Sequence, residues 1–320
     1  MDVVITEPVV NQMIETACLT SYSLDVELGT KASRAKNDFE IILSLDKWNT
    51  SMNQGSFVLS ELFCGVIDGL QVNTAEQTIT LHGNTIQKLL DDKVIIPPTG
   101  LNYYEIEDDA HIIMQQLIDS RFNGFIVASN VSSGFQIQLK ARYDTVFEAL
   151  EKSLSDVGAR LHFKYNGSQI VVSAVSSSLY DYVEVTSDSG INIVSNVQNG
   201  YNHIVALGRG EMQERKVIEL FYENGVISDT PIAEGLHLRS FVYDYSSVES
   251  EEQLRSEAEK KLLSMCGERS IEVEIDGDYE IGDCIHVRER MSGLQTKAYV
   301  QKKIIRGTSD ELKIEYKVGE

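Results

Sequence analysis

RYDTVFEALEKSLSDVGARLHFKYNGSQIVV, Arg142 to Val172, changes its periodicity once, and that change sets the fold class. Val146, Phe147, Leu150 and Leu154 fall on one stripe at helical spacing, which predicts a helix that opens at Asp144 and stops at Gly158. Beyond Gly158 the period drops to two. Leu161, Phe163 and Tyr165 alternate into Asn166-Gly167, the strongest two-residue hairpin signal, and Ile170 to Val175 return. A helix beside a hairpin makes a small α+β unit, assigned to residues 99–178.

Upstream, Ile106, Ala110, Ile113, Met114, Leu117 and Ile118 continue the helical spacing, with Glu107, Asp108 and Asp109 expected in the first turn, where the helix dipole favours acid. Pro97-Pro98, after Val94-Ile95-Ile96, forces extended backbone and marks a boundary. Before it the period is two. Tyr22, Leu24, Val26 and Leu28 alternate with polar neighbours, then Phe39, Ile41, Leu43 and Leu45, then Ile79 and Leu81. The apolar stretch from Phe57 to Leu70 ends in Asp68-Gly69, a hairpin signal, and Asn84 is placed to cap a short helix carrying Ile86, Leu89 and Leu90.

Downstream the alternation resumes. His203 to Leu207, Val217 to Tyr222 and Leu236 to Tyr243 are expected strands. One helix, over about 250–266, interrupts them: Ser250 with Gln253 forms a capping box, Leu254, Ala258, Leu262 and Met265 make its buried stripe, Glu257 and Lys261 pair, and Gly267 ends it. Ile271, Val273 and Ile275, Ile285 and Val287, Ala298 to Ile305, and Leu312 to Val318 are four closing strands.

The charge excludes whole classes of function. Across 320 residues, 49 acidic and 28 basic side chains leave −21, spread over every region rather than held in a tail. That field repels a phosphate backbone and an anionic membrane surface alike. No apolar run approaches the roughly 18 residues of a spanning helix, and Met1-Asp2 opens no secretion signal. Cys18, Cys64, Cys266 and Cys284 form no C-x-x-C pair and are expected to be reduced structural thiols of a cytosolic fold.

Chemistry-bearing patterns are weak. Asp276, Asp278, Glu280 and Asp283 cluster, yet Asp276-Gly277-Asp278 is turn chemistry and lacks the later glutamate of a calcium loop. His82, His111, His162, His203, His237 and His286 form no metal-ligand pair, no G-x-S-x-G elbow is present, and no local signature surrounds any cysteine. Gly208-Arg209-Gly210 follows a strand but lacks the third glycine and ensuing helix of a dinucleotide site, so a tight turn is expected. The pairs Tyr103/Tyr104, Tyr180/Tyr182 and Tyr243/Tyr245 suit strand edges or interfaces, with sugar stacking as a lesser alternative. No catalytic, cofactor or metal residue is assigned.

Several stretches, in order, resemble bacteriophage tail hub or tail-tip proteins, in the siphophage group often labelled Gp37-like. They are Asn37-Asp38-Phe39-Glu40-Ile41, Leu81-His82-Gly83 with Leu89-Leu90 and Ile95 to Pro98, the opening Arg142–Val172 stretch, YNHIVALGRGEMQERKVIELF from Tyr201 to Phe221, and DYEIGDCIHVRER from Asp278 to Arg290. Asn202, Gly208, Gly210, Arg215, Gly282 and Asp283 stand at the group's motif positions. The resemblance implies a mainly β, α+β fold like that of contractile-phage baseplate hubs. Two tail-tube-like β-barrel domains, 1–98 with a short closing helix and 179–320, would flank the α+β unit.

It further implies a phage or prophage structural protein of the virion tail, assembled in the bacterial cytoplasm as a homotrimer that adapts the tube to the tip. Its partners would be the distal tail protein, the tape-measure protein and a receptor-binding or fibre protein, with DNA passing through unbound. Because the chain ends at Glu320 just after the last strand, no enzymatic domain or cofactor is expected. The alternatives are a tail-associated peptidoglycan hydrolase using Glu280 and Asp283, and a carbohydrate-binding host-recognition module.

Overall fold

The computed structural model describes every residue except 10–11, 186–192, 198–199, 211, 224–225, 232–234, 247–249, 267–268, 274–277, 290–294 and 320. In chain order come β1 (Val3–Val9), β2 (Gln12–Leu19), β3 (Ser23–Gly29), β4 (Asp38–Ser44), β5 (Phe57–Leu59), β6 (Cys64–Asn73), β7 (Thr78–Thr85) and α1 (Ile86–Asp91). Next are β8 (Tyr104–Asp109), α2 (Ala110–Ile118), β9 (Ile126–Ala128), β10 (Gln136–Ala141), α3 (Val146–Ser155), β11 (Ala159–Tyr165) and β12 (Ile170–Ser176). Then follow β13 (Leu179–Val185), β14 (Ile193–Val197), β15 (His203–Leu207), β16 (Val217–Glu223), β17 (Val226–Ser228), β18 (Ser240–Asp244) and α4 (Glu251–Met265). The last are β19 (Arg269–Val273), β20 (Cys284–Glu289), β21 (Gln295–Thr308) and β22 (Leu312–Gly319). Two compact units result: Met1–Ile193 with Glu272–Gly319, and Val194–Ile271.

The first unit is built on an 11-stranded sheet in the order β13-β20-β21-β3-β4-β7-β6-β5-β1-β2, with β22 also on β21. The mainly β, α+β class is as expected, but the described strands close no barrel. Strands assigned to two separate barrels lie side by side instead, because β21 is long enough to pair with β20 through its first half and with β3 through its second. The two ends of the sheet, β2 and β13, do not pair with each other among the described residues.

Alternation decides which face is buried. Leu24, Val26, Leu28, Phe39, Ile41, Leu43, Ile79 and Leu81 are all buried, while Asp25, Glu27, Glu40 and His82 stand on the opposite face. Phe39 lies across Gly83. A Cβ there would meet the Phe39 ring at 2.2 Å, so the ring and any larger residue at 83 exclude each other. Asp68-Gly69 is a bulge within β6, at a register shift between Ile67 and Gly69, and the hairpin turns at 74–77. The same small, turn-tolerant pair serves either purpose. Thr85 rather than Asn84 precedes α1, because β7 runs on through Thr85.

The α+β portion packs α2 and α3 on the sheet β11-β12-β9 and the ribbon β10-β8. Its core crosses Pro97-Pro98 without a break, since Ile86, Leu90 and Ile95 share a cluster with Ile113, Leu117, Leu150 and Leu154. Thr145 caps α3 by accepting from the Glu148 N–H at 3.1 Å, one residue after the expected start at Asp144. Asn166 turns the β11–β12 hairpin, its side-chain oxygen accepting from the N–H groups of Ser168 and Gln169.

In the second unit the sheet β17-β16-β15-β18 buries Ile204, Ala206 and Leu220 under Leu254, Ala258 and Leu262 of α4. Ser250 caps α4 by accepting from the Gln253 N–H at 3.1 Å. Glu257 pairs with Lys260 rather than Lys261, at 2.8 Å. Leu236 lies in a short 3-10 turn, Gly235–His237, so β18 starts only at Ser240. The expected features at Gly267, Ile275 and the Asp276-Gly277 turn lie outside the described residues.

Tyr104–Asp109 is a strand, and α2 begins only at Ala110. Glu107 and Asp108 therefore stand in β8 rather than in a helical turn; Ile106 and Ala110 are four apart, but the ribbon with β10 overrides that spacing. Asp109 is the N-cap, and its buried carboxylate accepts from the N–H groups of His111, Ser133 and Gly134 and from the Ser132 hydroxyl. His111 fastens the same loop. Its Nε2 accepts from the Ala174 N–H at 2.8 Å, which leaves Nδ1–H to donate to the Val131 carbonyl in a neutral ring.

Burial disfavours a charged Asp109, yet the hydrogen bonds from Ser133, Ser132 and His111 outweigh it and hold the carboxyl far below its usual 3.8. A depressed native pKa stabilises the fold fully above 3.8 and loses that contribution as pH falls through the native value. Asp109→Asn should therefore cost about 3 kcal/mol at pH 7, the scale of hydrogen bonds to a buried charge. In denaturant titrations repeated from pH 7 downwards, the gap between wild type and variant should narrow only below pH 4.

Candidate functional site

Asp283, at the mouth of β20, is 1% exposed and joins three segments of the first unit. Its Oδ1 accepts from Arg160 Nε at 3.1 Å on β11 and from the Ser178 N–H at 2.9 Å, just before β13; Oδ2 accepts from the Glu280 N–H at 2.9 Å. Gly282 makes this approach possible. Its φ is +93°, and a Cβ there would lie 2.9 Å from Arg160 Cβ, so both the left-handed backbone and the space call for glycine.

Beside it, the fully buried Lys303 on β21 reaches Glu280 at 3.0 Å and lies 5.8 Å from the Tyr316 ring centroid. Tyr180, Tyr279 and Tyr316 meet edge to face around this pair. Hydrolysis by Glu280 and Asp283 would need two acids with oxygens open to substrate. Here both Asp283 oxygens are occupied by donors out of solvent, and Glu280 is tied to a lysine. The arrangement holds backbone segments together.

The other motif positions fall in the second unit. The Asn202 side chain donates to the His237 carbonyl at 2.8 Å and accepts from the Arg239 N–H at 2.8 Å, pinning the 3-10 turn to the start of β15. Gly208 and Gly210 shape the β15–β16 turn, and Arg215 closes it, donating through Nε to the Gly208 carbonyl and pairing with Asp244 of β18. Gly282 and Asp283 are thus brought together in one unit, and Asn202, Gly208, Gly210 and Arg215 in the other.

No three metal-ligating side chains converge among the described residues. Burial pushes the Cys64 thiol up to about 12, which leaves it unionised and unreactive. Tyr243 and Tyr245 stack on each other and pack against the α4 core, and the Tyr182 side chain lies outside the described residues. Tyr103 is exposed.

Two surfaces bear on assembly. One is the edge strand β2, which among the described residues pairs only with β1 and carries Ile14, Glu15 and Cys18 outward with no proline or lysine to blunt the edge. Sequence reading missed β1 and β2 because their burial does not alternate cleanly, the register shifting between Ile5 and Thr6. The other is the polar face of β3, β4 and β7, a groove of 320 Å³ where the carboxylates of Asp25, Glu27, Asp38, Glu40 and Asp68 outnumber the cations Lys36 and Arg306. Burial raises the Asp38 carboxyl; Lys36 opposes the rise, and Glu27 and Asp25 add to it.

No protein-family profile matches the chain, and no curated protein matches it by sequence. Solved structures do. A tail protein from Neisseria meningitidis MC58 matches at a TM-score of 0.54 with 14% identity, over 100% of this chain and 97% of the other. The prophage tail protein gp18 from Listeria monocytogenes EGD-e matches at 0.56 with 10% identity, over 100% and 94%. A chain of the phage P2 baseplate in its activated conformation matches at 0.52 with 8% identity, over 99% and 98%. The chain has the fold of these tail and baseplate proteins along essentially its whole length.

Asp283→Ala should cost about 3 kcal/mol or more, because it leaves Arg160 without its anion in a largely buried site. Gly282→Ala should cost roughly 1–3 kcal/mol through backbone strain and contact with Arg160. Thermal unfolding of both variants tests this; a melting temperature unchanged by either would show that the junction is not held as described.

Proposed function

We propose that this chain is a structural protein of a phage or prophage tail that assembles as a trimeric hub at the distal tip or baseplate. The observation that carries the reading is the whole-length likeness in fold to tail and baseplate proteins, across both units and the α+β portion between strands of the large sheet. In this reading an open sheet is useful. An unblunted edge such as β2 offers backbone groups to a neighbouring copy, and a heterologous contact repeated three times closes a ring. Complete tube-like barrels would then form between copies rather than within one.

The acidic face of β3, β4 and β7 suits a bore that carries DNA. Carboxylates there repel phosphate, so a genome could pass without being held, while the ring adapts a tube above to a tip below. Partners along the axis would be the distal tail protein, the tape-measure protein and a receptor-binding or fibre protein, and the place of assembly the bacterial cytoplasm. The role is assembly and passage rather than bond chemistry.

A reconstruction of the tail particle tests the reading directly. Three copies around the axis with β3, β4 and β7 facing the bore are expected; one copy away from the axis overturns the hub, and a bore lined by basic residues overturns the DNA-passage role. Purified protein incubated with cell walls should release no soluble fragments.

A further inference from the structure

One exposed surface of the first unit gathers large apolar side chains around a cation. Ile96 is 70% exposed, Leu101 63%, Tyr143 63% and Tyr103 40%. Their backbone is fixed. Lys93–Ile95 forms hydrogen bonds with Tyr143–Val146, and the Leu101 N–H donates to the Pro98 carbonyl at 3.0 Å, closing a turn behind the proline pair. Tyr143 sits at φ +62°, a conformation that a bulky residue adopts at a cost of about 1 kcal/mol or more, and no burial of its ring offsets that cost.

Arg142 stands between the two tyrosines, its guanidinium carbon 5.9 Å from each ring centroid. Among the described residues no carboxylate lies within ion-pairing distance of it, on a chain of net charge −21; the neighbouring Lys140 is paired with Glu105 at 2.6 Å. Tyrosine and arginine beside exposed aliphatic side chains, on a hydrogen-bonded backbone, is the composition of a protein-binding hot spot, because little backbone entropy remains to be lost on contact.

A matching surface lies on the same chain. Glu7 and Ile14 are direct partners in the β1–β2 ladder, and Val9 is on the same face. Val9 is 41% and Ile14 48% exposed, and Glu7 has no cation within pairing distance among the described residues. Met13, one residue along, points the other way into the core.

Resting on the reading that copies of this chain assemble, we propose that the Arg142 surface of one copy receives the β1–β2 arm of the next, with Glu7 against Arg142 and Val9 and Ile14 against Ile96, Leu101 and Tyr143. The contact is heterologous, so it propagates around a ring. Each charge supplies what the other lacks, and the apolar groups remove one another from water.

Sedimentation velocity over a concentration series tests the contact on the full chain. Arg142→Glu and Glu7→Lys should each weaken self-association by roughly tenfold, and R142E/E7K together should return it to near the wild-type value. Unchanged melting temperatures would show that these exposed substitutions leave the fold intact. A wild type that stays monomeric to its solubility limit overturns the docking, as do losses that merely add in the double variant. Oligomers untouched by either change also overturn it while leaving the hub reading standing, since that reading falls only if the tail reconstruction places the chain off the axis.

Discussion

The pairing of β3 with β21 is the constraint on which the first unit depends. Seven register pairs, from Lys302 opposite Gly29 to Thr308 opposite Ser23, join segments separated by almost the whole chain. Lys302 to Glu27 at 3.0 Å and Arg306 to Asp25 at 2.9 Å lie along the same seam. The exposed Arg306–Asp25 pair contributes little by itself, about 0–1 kcal/mol, but it sits directly across the ladder, and with the largely buried diagonal pair Lys302–Glu27 it disfavours a slipped register. Backbone ladder and buried Ile305 beside Val26 supply the strength; the ion pairs supply alignment.

Because that seam exists, the α+β portion is held inside a closed chain path rather than hanging from it. Asp283 then ties the portion's β11 to the start of β13 and to the turn before β20, so the seam and the junction are mechanically linked through β21 and β20. The second unit needs neither: its four strands and α4 bury their own cluster of Ile204, Leu220 and Leu254.

Local structure was legible wherever the sequence carried its own partners. The β11–β12 hairpin around Asn166-Gly167, the α3 stripe and the Ser250–Gln253 cap depend on residues a few positions apart, and all are found. β8 was misread because Ile106 and Ala110 satisfy a helical spacing that only the β10 ladder overrules. Asp68-Gly69 was misread because turns and bulges ask for the same residues. Barrel closure could not be tested by periodicity at all, since alternation states which face is buried and not which strand is next door. The same limit applies to the junction. Gly282-Asp283 stood out as a motif, but Arg160, its buried counterion, is 123 positions away and carries no local mark. The exposed Arg142 and Tyr143 were visible only as part of a helix approach.

The β3–β21 seam also gives the chain a vulnerable interval during synthesis. At about 5–20 residues per second, roughly 15–60 s separate the emergence of β3 from that of Thr308, and throughout it the strand Ser23–Gly29 has one side unpaired. Chains growing on neighbouring ribosomes meet at close quarters while that side is open. Asp25 and Glu27 on the open strand then serve a temporal purpose. They repel the same acidic strand on a neighbouring nascent chain and attract Lys302 and Arg306 when those finally appear, so that the correct partner is the one the strand has been kept free to accept.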